Sequence, residues 1–212
     1  MRVIVTRPRA QARPLADALR AAGFDPVICP LIELEPIDDG PIEVAGYEWV
    51  VVTSANGAQE LARRHVGYLP KVAAIGPATA AALGAYGIRA DFVPSTASQE
   101  ALVAEFPRPA GRVLFVGAEE ARPLVVVELE ADFRAVYRTR RLRPEPPPKG
   151  DLAVLASPSA AEAFAALRLD IPVVTIGPQT TSAARRGGTP VAAQARTQDV
   201  AGIVAAVREA AR

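Results

Sequence analysis

The chain has 212 residues, half of them hydrophobic, and its acidic and basic residues nearly cancel to a net charge of +1. That balance excludes a bulk electrostatic pull toward nucleic acid or an anionic membrane surface, and no apolar run is long enough to span a bilayer. A single cysteine, Cys29, excludes an internal disulfide and a cysteine-rich metal site. The length accommodates one large domain or two small ones. Lys71 and Lys149 are the only lysines, so nearly all basic charge is arginine.

The N-terminus opens directly on a strand pattern, Arg2–Thr6, with no leader-like apolar run; the expectation is a cytoplasmic protein. Arg7-Pro8 breaks the strand, and residues 10–22 read as an amphipathic helix with Leu15, Ala18, Leu19 and Ala22 on one face. Pro26–Pro30 is a second strand. Residues 31–37 (LIELEPI) alternate apolar and acidic residues, as a half-exposed extended segment does, and Asp38–Pro41 is a loop. Trp49–Val52 is a buried strand leading through Thr53-Ser54-Ala55-Asn56-Gly57 into a helix near Ala58–Arg64, with His65 at its end on the surface. Val72–Ile75 is a strand that Gly76 breaks, and Pro77 occupies a first helical position. A further strand follows at Asp91–Pro94, then a polar loop opening another helix. Arg112–Val116 is a strand, Arg122–Leu129 a helix, and residues 135–140 (AVYRTR) an extended basic segment. Pro144–Gly150 is a stiff linker. Leu152–Ala156 is a buried strand before Ser157-Pro158-Ser159 and a helix at residues 160–167, and a helix over residues 199–211 ends the chain.

Two stretches repeat. Ile75-Gly76-Pro77-Ala78-Thr79 recurs as Ile176-Gly177-Pro178-Gln179-Thr180, and Ser98-Gln99-Glu100 is matched by Thr197-Gln198-Asp199. Residues 13–15 (Arg-Pro-Leu) echo at 122–124, and Ser54 and Asn56 are answered by Ser157 and Ser159. The pattern indicates an internal duplication. Alternating strands and helices imply an α/β fold with parallel sheets and working loops at the strands' C-terminal ends. Each unit has five strands, paired either in tandem or with the first two strands exchanged between units; the extended segments after each second strand favour exchange, running side by side as a bridge.

Common catalytic signatures are absent: no GxGxxG after a strand, no GxxxxGK[ST], no metal-ligand cluster and no histidine suited to a Ser-His triad. What remains is a set of hydroxyls, turn amides and one cation at strand ends: Thr6, Arg7, Ser54, Asn56, Gly76, Thr79 and Ser98, then Ser157, Ser159, Gly177, Thr180 and Thr197. Any one of them alone reads as a helix cap; repeated in both halves, they suggest paired cradles for an anionic ligand. Tyr137, in the extended segment, is either a packing residue with its phenol at the surface or a proton donor. Arg138, Arg140, Arg141 and Arg143 read as a solvated strand edge.

Together these motifs resemble the uroporphyrinogen-III synthase family. The resemblance rests on VTRP (Val5–Pro8) with Gln11 and Leu15, TSANG (Thr53–Gly57), IGPAT (Ile75–Thr79), and Gly87 with DFVP (Asp91–Pro94). It continues with VYRT (Val136–Thr139), SPSA (Ser157–Ala160) and IGPQT (Ile176–Thr180). It covers nearly the whole chain in order; Val116-Gly117 departs from it, where relatives often carry a basic residue before the glycine. The resemblance implies two similar parallel-sheet α/β domains joined by a two-stranded bridge, with a cleft between them. The first domain would be residues 1–34 plus 143–212 and the second 37–134, with 31–37 and 135–143 as the bridge. It also implies a lyase of haem and tetrapyrrole biosynthesis, a cytoplasmic monomer needing no metal or cofactor. Such an enzyme closes linear hydroxymethylbilane to uroporphyrinogen III with inversion of the last ring and loss of water. Tyr137 would be the catalytic residue and the strand-end set the substrate-binding one. The alternative is a non-catalytic two-lobed module that binds a small anionic ligand.

Overall fold

The computed structural model describes residues 1–212. Its elements run β1 (Arg2–Val5), α1 (Arg9–Ala21), β2 (Asp25–Ile28), β3 (Ile32–Pro36), β4 (Ile42–Glu43), β5 (Trp49–Val52), α2 (Ala55–Arg64), β6 (His65–Val66), β7 (Lys71–Ala74) and α3 (Pro77–Gly84). They continue with α4 (Gln99–Glu105), β8 (Val113–Ala118), α5 (Leu124–Glu128), β9 (Asp132–Arg141), β10 (Leu152–Leu155), α6 (Pro158–Ala165), β11 (Val173–Thr175), α7 (Pro178–Arg186), β12 (Val191–Gln194) and α8 (Val200–Ala210). The chain divides into two units: Met1–Leu34 with Thr139–Arg212, and Glu35–Arg138. No helix is long and apolar enough to cross a membrane.

The first unit is built on a five-stranded sheet of order β12-β11-β10-β1-β2, parallel throughout. Both chain ends therefore contribute to it: Val3 is aligned with Leu152 on one side and with Pro26 on the other. Val3, Ile4 and Val5 are fully buried. Val3 and Val5 pack with Leu15 and Leu19 of α1 and with Ile203 and Val207 of α8, whereas Ile4 packs with Phe164 of α6 and Ala184 of α7. Successive strand residues point to opposite faces, and a parallel sheet covered by helices on both faces selects the unbroken apolar runs seen at β1 and β10.

The second sheet has the order β3-β9-β8-β5-β7; β5, β7 and β8 belong to the second unit, and β3 and β9 run through the points where the chain passes between the units. Trp49, Val51 and Phe115 pack against Leu102 and Phe106 on one of its faces. β5, β7, β8 and β9 are mutually parallel. β3 is antiparallel to β9: the Leu142 N–H donates to the Leu31 carbonyl (2.8 Å) and the Ile37 N–H to the Val136 carbonyl (3.2 Å), so partners run in opposite directions. The same register pairs Glu33 with Arg140 at 2.5 Å and Glu35 with Arg138 at 3.3 Å. The arginines expected to be merely solvated are thus paired with the acidic face of the LIELEPI segment, and Arg141 pairs with Glu162.

Four expectations change. The strand expected at Asp91–Pro94 is a single bridge between Phe92 and Ala73. The Asp91 carboxylate itself accepts the Val72 N–H at 2.9 Å, taking a donor that a neighbouring strand would use. The helix expected over Arg122–Leu129 shortens to Leu124–Glu128, with Pro123 as its N-cap and Leu129 as its C-cap. Two-residue strands β4 and β6 pair with each other, too short to leave a periodic signal. His65 is only partly exposed, its ring nitrogen 3.0 Å from the Leu61 carbonyl.

Arg64, at the end of α2, is the most deeply buried ion-pair partner, its side chain 2% exposed. It pairs with Asp38 and, at 3.2 Å, with Glu60, and donates to the Gly40 carbonyl at 2.8 Å. Arg134 of β9 takes both oxygens of the same Asp38 at 3.0 Å. The cluster anchors the loop after β3 and the C-terminal end of the helix that Ser54 opens. Replacing Arg64 with Ala leaves the largely buried Glu60 carboxylate to Arg63 alone, at 2.9 Å, and a broken buried pair costs about 3–5 kcal/mol. Urea unfolding of Arg64→Ala is expected to show a loss at the lower end of that range because Asp38 keeps Arg134; a loss under about 1 kcal/mol would show that the cluster holds nothing in place.

Candidate functional site

Parallel strands deliver their C-terminal ends to one edge of a sheet, and the polar residues follow those ends. In the first unit this edge gathers Thr6-Arg7 after β1, Ser157 and Ser159 after β10, Gly177 and Thr180 after β11, and Thr197 after β12. Thr6 is fully buried and its hydroxyl donates to the Val154 carbonyl at 2.7 Å, so its donor serves the sheet and not a ligand. Arg7 is different. It is half-buried, and no ion pair or side-chain hydrogen bond engages it. Burial pushes its guanidinium below the usual arginine value. A desolvated cation without a counter-charge attracts an anion strongly.

The hydroxyls sort into caps and non-caps. Ser54, Ser98, Ser157 and Asp199 are the N-caps of α2, α4, α6 and α8, each accepting a first-turn N–H within 3.1 Å. Ser159 shares a 3.1 Å hydrogen bond with the Ser157 hydroxyl, and the Thr197 hydroxyl donates to Asp199 at 3.1 Å. For these groups capping is the observed role. The two IGPxT turns behave otherwise. Gly76 and Gly177 are the N-caps of α3 and α7, and neither helix has a side-chain cap. Thr79 and Thr180 lie in the first turns, 5% and 2% exposed, yet neither hydroxyl bonds within the protein. The only fully buried side-chain polar atom without a partner is Oε1 of Gln99, so both threonine hydroxyls keep an open side. Free first-turn N–H groups beside an unpartnered hydroxyl form an anion-binding surface.

In the second unit the phenol of Tyr137 joins this edge. Tyr137 sits opposite Ala118, the last residue of β8, and is 9% exposed, so its ring and hydroxyl are not at the surface. Its hydroxyl donates to Ser54 Oγ at 3.0 Å, and the Asn56 side chain also hydrogen-bonds it. Burial raises its pKa; the bonds to Ser54 and Asn56 oppose the rise, and the charge of Glu120 adds to it. The phenol therefore stays protonated well past neutral pH. Sequence reading named Tyr137, Ser54 and Asn56 singly and missed their union, since 83 residues separate Tyr137 from Ser54. Glu120 was missed as well: nothing local distinguishes it from a solvated loop carboxylate.

The duplicated loops are shifted by one residue from the sequence match. Ser98 corresponds to Asp199, as N-caps, and Ala97 to Gln198, as the residues packed over the glycines. Their counterparts lie 21 residues beyond Gly76 and Gly177 in each half. The matching of Gln99 with Gln198 misled the alignment.

Comparison with known proteins comes from three directions. Residues 13–205 match the family model described as uroporphyrinogen-III synthase HemD. The chain is 30% identical to the uroporphyrinogen-III synthase of Synechococcus elongatus over 55% of its own length and 50% of the relative's. It is 34% identical to a putative uroporphyrinogen-III synthase of Archaeoglobus fulgidus over 68% of this chain and 63% of that one. The chain thus spans about half to under two thirds of these relatives. In fold it resembles the crystal structure of uroporphyrinogen-III synthetase from Helicobacter pylori, with a TM-score of 0.69, 17% identity and complete coverage of both chains. It also resembles a mutant uroporphyrinogen III synthase from Thermus thermophilus, with a TM-score of 0.66, 16% identity and coverage of 100% and 98%.

The two N-cap glycines differ in what surrounds them. Both have extended backbone, φ −179° at Gly76 and 178° at Gly177, so alanine is conformationally permitted at each. At Gly76 a new Cβ would lie 2.6 Å from the Ala97 Cβ, a contact fixed by the loop; at Gly177 the nearest atom is the flexible amide of Gln198, at 3.1 Å. Gly76→Ala should cost about 1–3 kcal/mol as an overpacking substitution, and Gly177→Ala under about 1 kcal/mol, since a flexible side chain can yield. Thermal denaturation of the two variants gives the comparison; equal losses would mean that Ala97 yields as readily as Gln198.

Proposed function

This chain belongs to the uroporphyrinogen-III synthase family, and from that premise we propose that it closes hydroxymethylbilane to uroporphyrinogen III with loss of water. The observation that carries the reading is the buried phenol of Tyr137, hydrogen-bonded to Asn56 and to Ser54, which follows β5, the strand next to β7 and its uncapped, hydroxyl-bearing helix turn. The substrate is a linear tetrapyrrole bearing acetate and propionate groups. Unaided, it closes to the type I isomer, so the enzyme must hold it in one folded shape and assist departure of its terminal hydroxyl. Positioning supplies most of such a rate enhancement.

In this reading the carboxylates are divided between the units. Arg7 and the Gly177–Thr180 turn take those bound by the first, and the Gly76–Thr79 turn takes those bound by the second. The phenol hydrogen of Tyr137 turns from Ser54 to the leaving hydroxyl, which departs as water and leaves an azafulvenium cation opposite the tyrosinate. The resulting tyrosinate is held by the Asn56 amide and by the Ser54 hydroxyl, which still caps the Gly57 N–H. The last pyrrole attacks at its substituted end, the spiro intermediate fragments and recloses with that ring inverted, and the proton lost on rearomatisation returns to Tyr137. No step calls for a metal or cofactor. β3 and β9, in which the chain passes from one unit to the other, serve as the bridge. The enzyme acts as a cytoplasmic monomer. The family match does not favour the alternative of a purely binding module.

Two expected outcomes test this. Incubation with enzymatically generated hydroxymethylbilane should yield the type III isomer on chromatography, and Thr79→Ala and Thr180→Ala should each raise KM with little loss of stability, because neither hydroxyl bonds within the protein. Type I product alone in the presence of folded protein would sink the enzymatic reading; unchanged KM in both variants would remove the threonines from it.

Tyr137→Phe should lower kcat by roughly 10²-fold or more, as loss of a general acid does, and cost about 1 kcal/mol of stability for the bond to Ser54. The wild-type rate, needing the protonated phenol, should not fall on account of Tyr137 until pH exceeds the ordinary tyrosine value near 10. A near-normal rate in Tyr137→Phe would assign proton donation to the substrate or to water.

A further inference from the structure

Thr181 is a buried hydroxyl that the proposed chemistry leaves without a part. It follows Thr180 in α7 and is 6% exposed. Its oxygen lies 2.6 Å from Thr175 Oγ1, 2.6 Å from Gln194 Oε1 and 3.1 Å from the Gly177 carbonyl. Thr175 is the last residue of β11 and Gln194 the last of β12. One side chain therefore ties two strand ends to the N-cap of the helix that carries Thr180. The hydrogen count closes: Thr175 donates to Thr181, and Thr181 donates to Gln194, with the Gly177 carbonyl sharing that hydrogen.

The duplicate shows that none of this is needed to form the turn. At equivalent distances from Gly76 stand Ala74, Ala80 and Val93, yet the second unit has the same glycine N-cap, the same proline at the first helical position and the same buried threonine. A device that folding does not require, present beside only one of two equivalent turns, restrains rather than builds. The Gly177 carbonyl accepts both the N–H of Thr181, at 3.0 Å, and its hydroxyl. This doubly held carbonyl fixes the peptide plane from which the free amides of Gln179 and Thr180 follow.

Resting on the function proposed above, we propose that Thr181 is a positioning residue. Its hydroxyl holds the Gly177–Thr180 turn in the orientation that receives a substrate carboxylate, so that the first unit's cradle is preset. A positioning role of this kind lowers the cost of ordering the site at the moment of binding.

The test compares Thr181→Val, which keeps the shape and removes the hydroxyl, with Thr181→Ser, which keeps the hydroxyl. Thr181→Val should raise KM for hydroxymethylbilane roughly fivefold to tenfold, the worth of about one hydrogen bond, and leave kcat nearly unchanged. Amide exchange over residues 177–181 should quicken in the same variant, and Thr181→Ser should restore both. If Thr181→Val fails to fold, Gln194→Leu, at an exposed position, carries the same measurements. A drop in melting temperature with unchanged KM and unchanged exchange would overturn the proposal, as would a serine variant as impaired as the valine one. Wild-type protein giving only type I product would overturn the underlying reading and this role with it; an active wild type with an unaltered valine variant overturns the positioning role alone.

Discussion

A strand buried on both faces has nowhere to put a hydroxyl or a charge except beyond its last residue. β1, β5 and β10 are such strands: Ile4, Val51 and Ala153 have no exposed surface, with helices packed against either side. Any polar side chain inside them would need a partner that an aliphatic interior does not offer. Parallel pairing then brings the positions just past the strands to a single edge of each sheet. Thr6, Ser54, Ser157, Gly76 and Gly177 stand together at those edges because the core admits them nowhere else, and ligand chemistry is built from what the core has excluded. Thr6 shows how narrow the margin is. It is the first residue past β1, yet its hydroxyl is already claimed by the Val154 carbonyl of the neighbouring strand.

The same edge explains how the two halves diverged. Four helices begin with a serine or aspartate whose side chain accepts one first-turn amide. The two that begin with Gly-Pro leave their amides open, because glycine has no side chain to fold back. Duplication supplied two open starts. At the positions where Thr175, Thr181 and Gln194 bond beside one of them, the other half carries alanine, alanine and valine. Around Gly76 the overlying loop presents a methyl group, and around Gly177 an amide.

Much of this was legible in the sequence, for physical reasons. The apolar runs of β1, β5 and β10 and the Gly-Pro punctuation after β7 and β11 are local signals, readable without neighbours. The pairing of Glu33 with Arg140 and of Glu35 with Arg138 was half-legible: the two extended segments were expected side by side, but the register that sets each glutamate against an arginine is not written in either segment alone. What stayed hidden is the work of partners distant in the chain. Thr181 is an ordinary helical threonine until β11 and β12 deliver Thr175 and Gln194 to it, and Tyr137 shows its environment only once β9 has aligned with β8. The Asp91–Pro94 segment failed for the opposite reason. Its β-branched and aromatic residues suit a strand, but Asp91 answers the sheet with its carboxylate, a competition that propensity does not register.

The interleaving of the two units has a consequence for how the chain is made. β1 lies between β2 and β10, so the centre of the first sheet is completed only when residues near Leu152 have left the ribosome. The second unit, contiguous from Glu35 to Arg138, has emerged in full before that. During synthesis the N-terminal βαβ segment must therefore remain with one side of β1 unpaired while an entire neighbouring unit forms. An open strand edge of that kind recruits other chains. The first unit is thus a late, long-range assembly, the sort that folds slowly because loop closure precedes its reward. Nascent chains halted between residues 138 and 152 would carry a finished second unit and an orphaned β1, making them natural clients for chaperones.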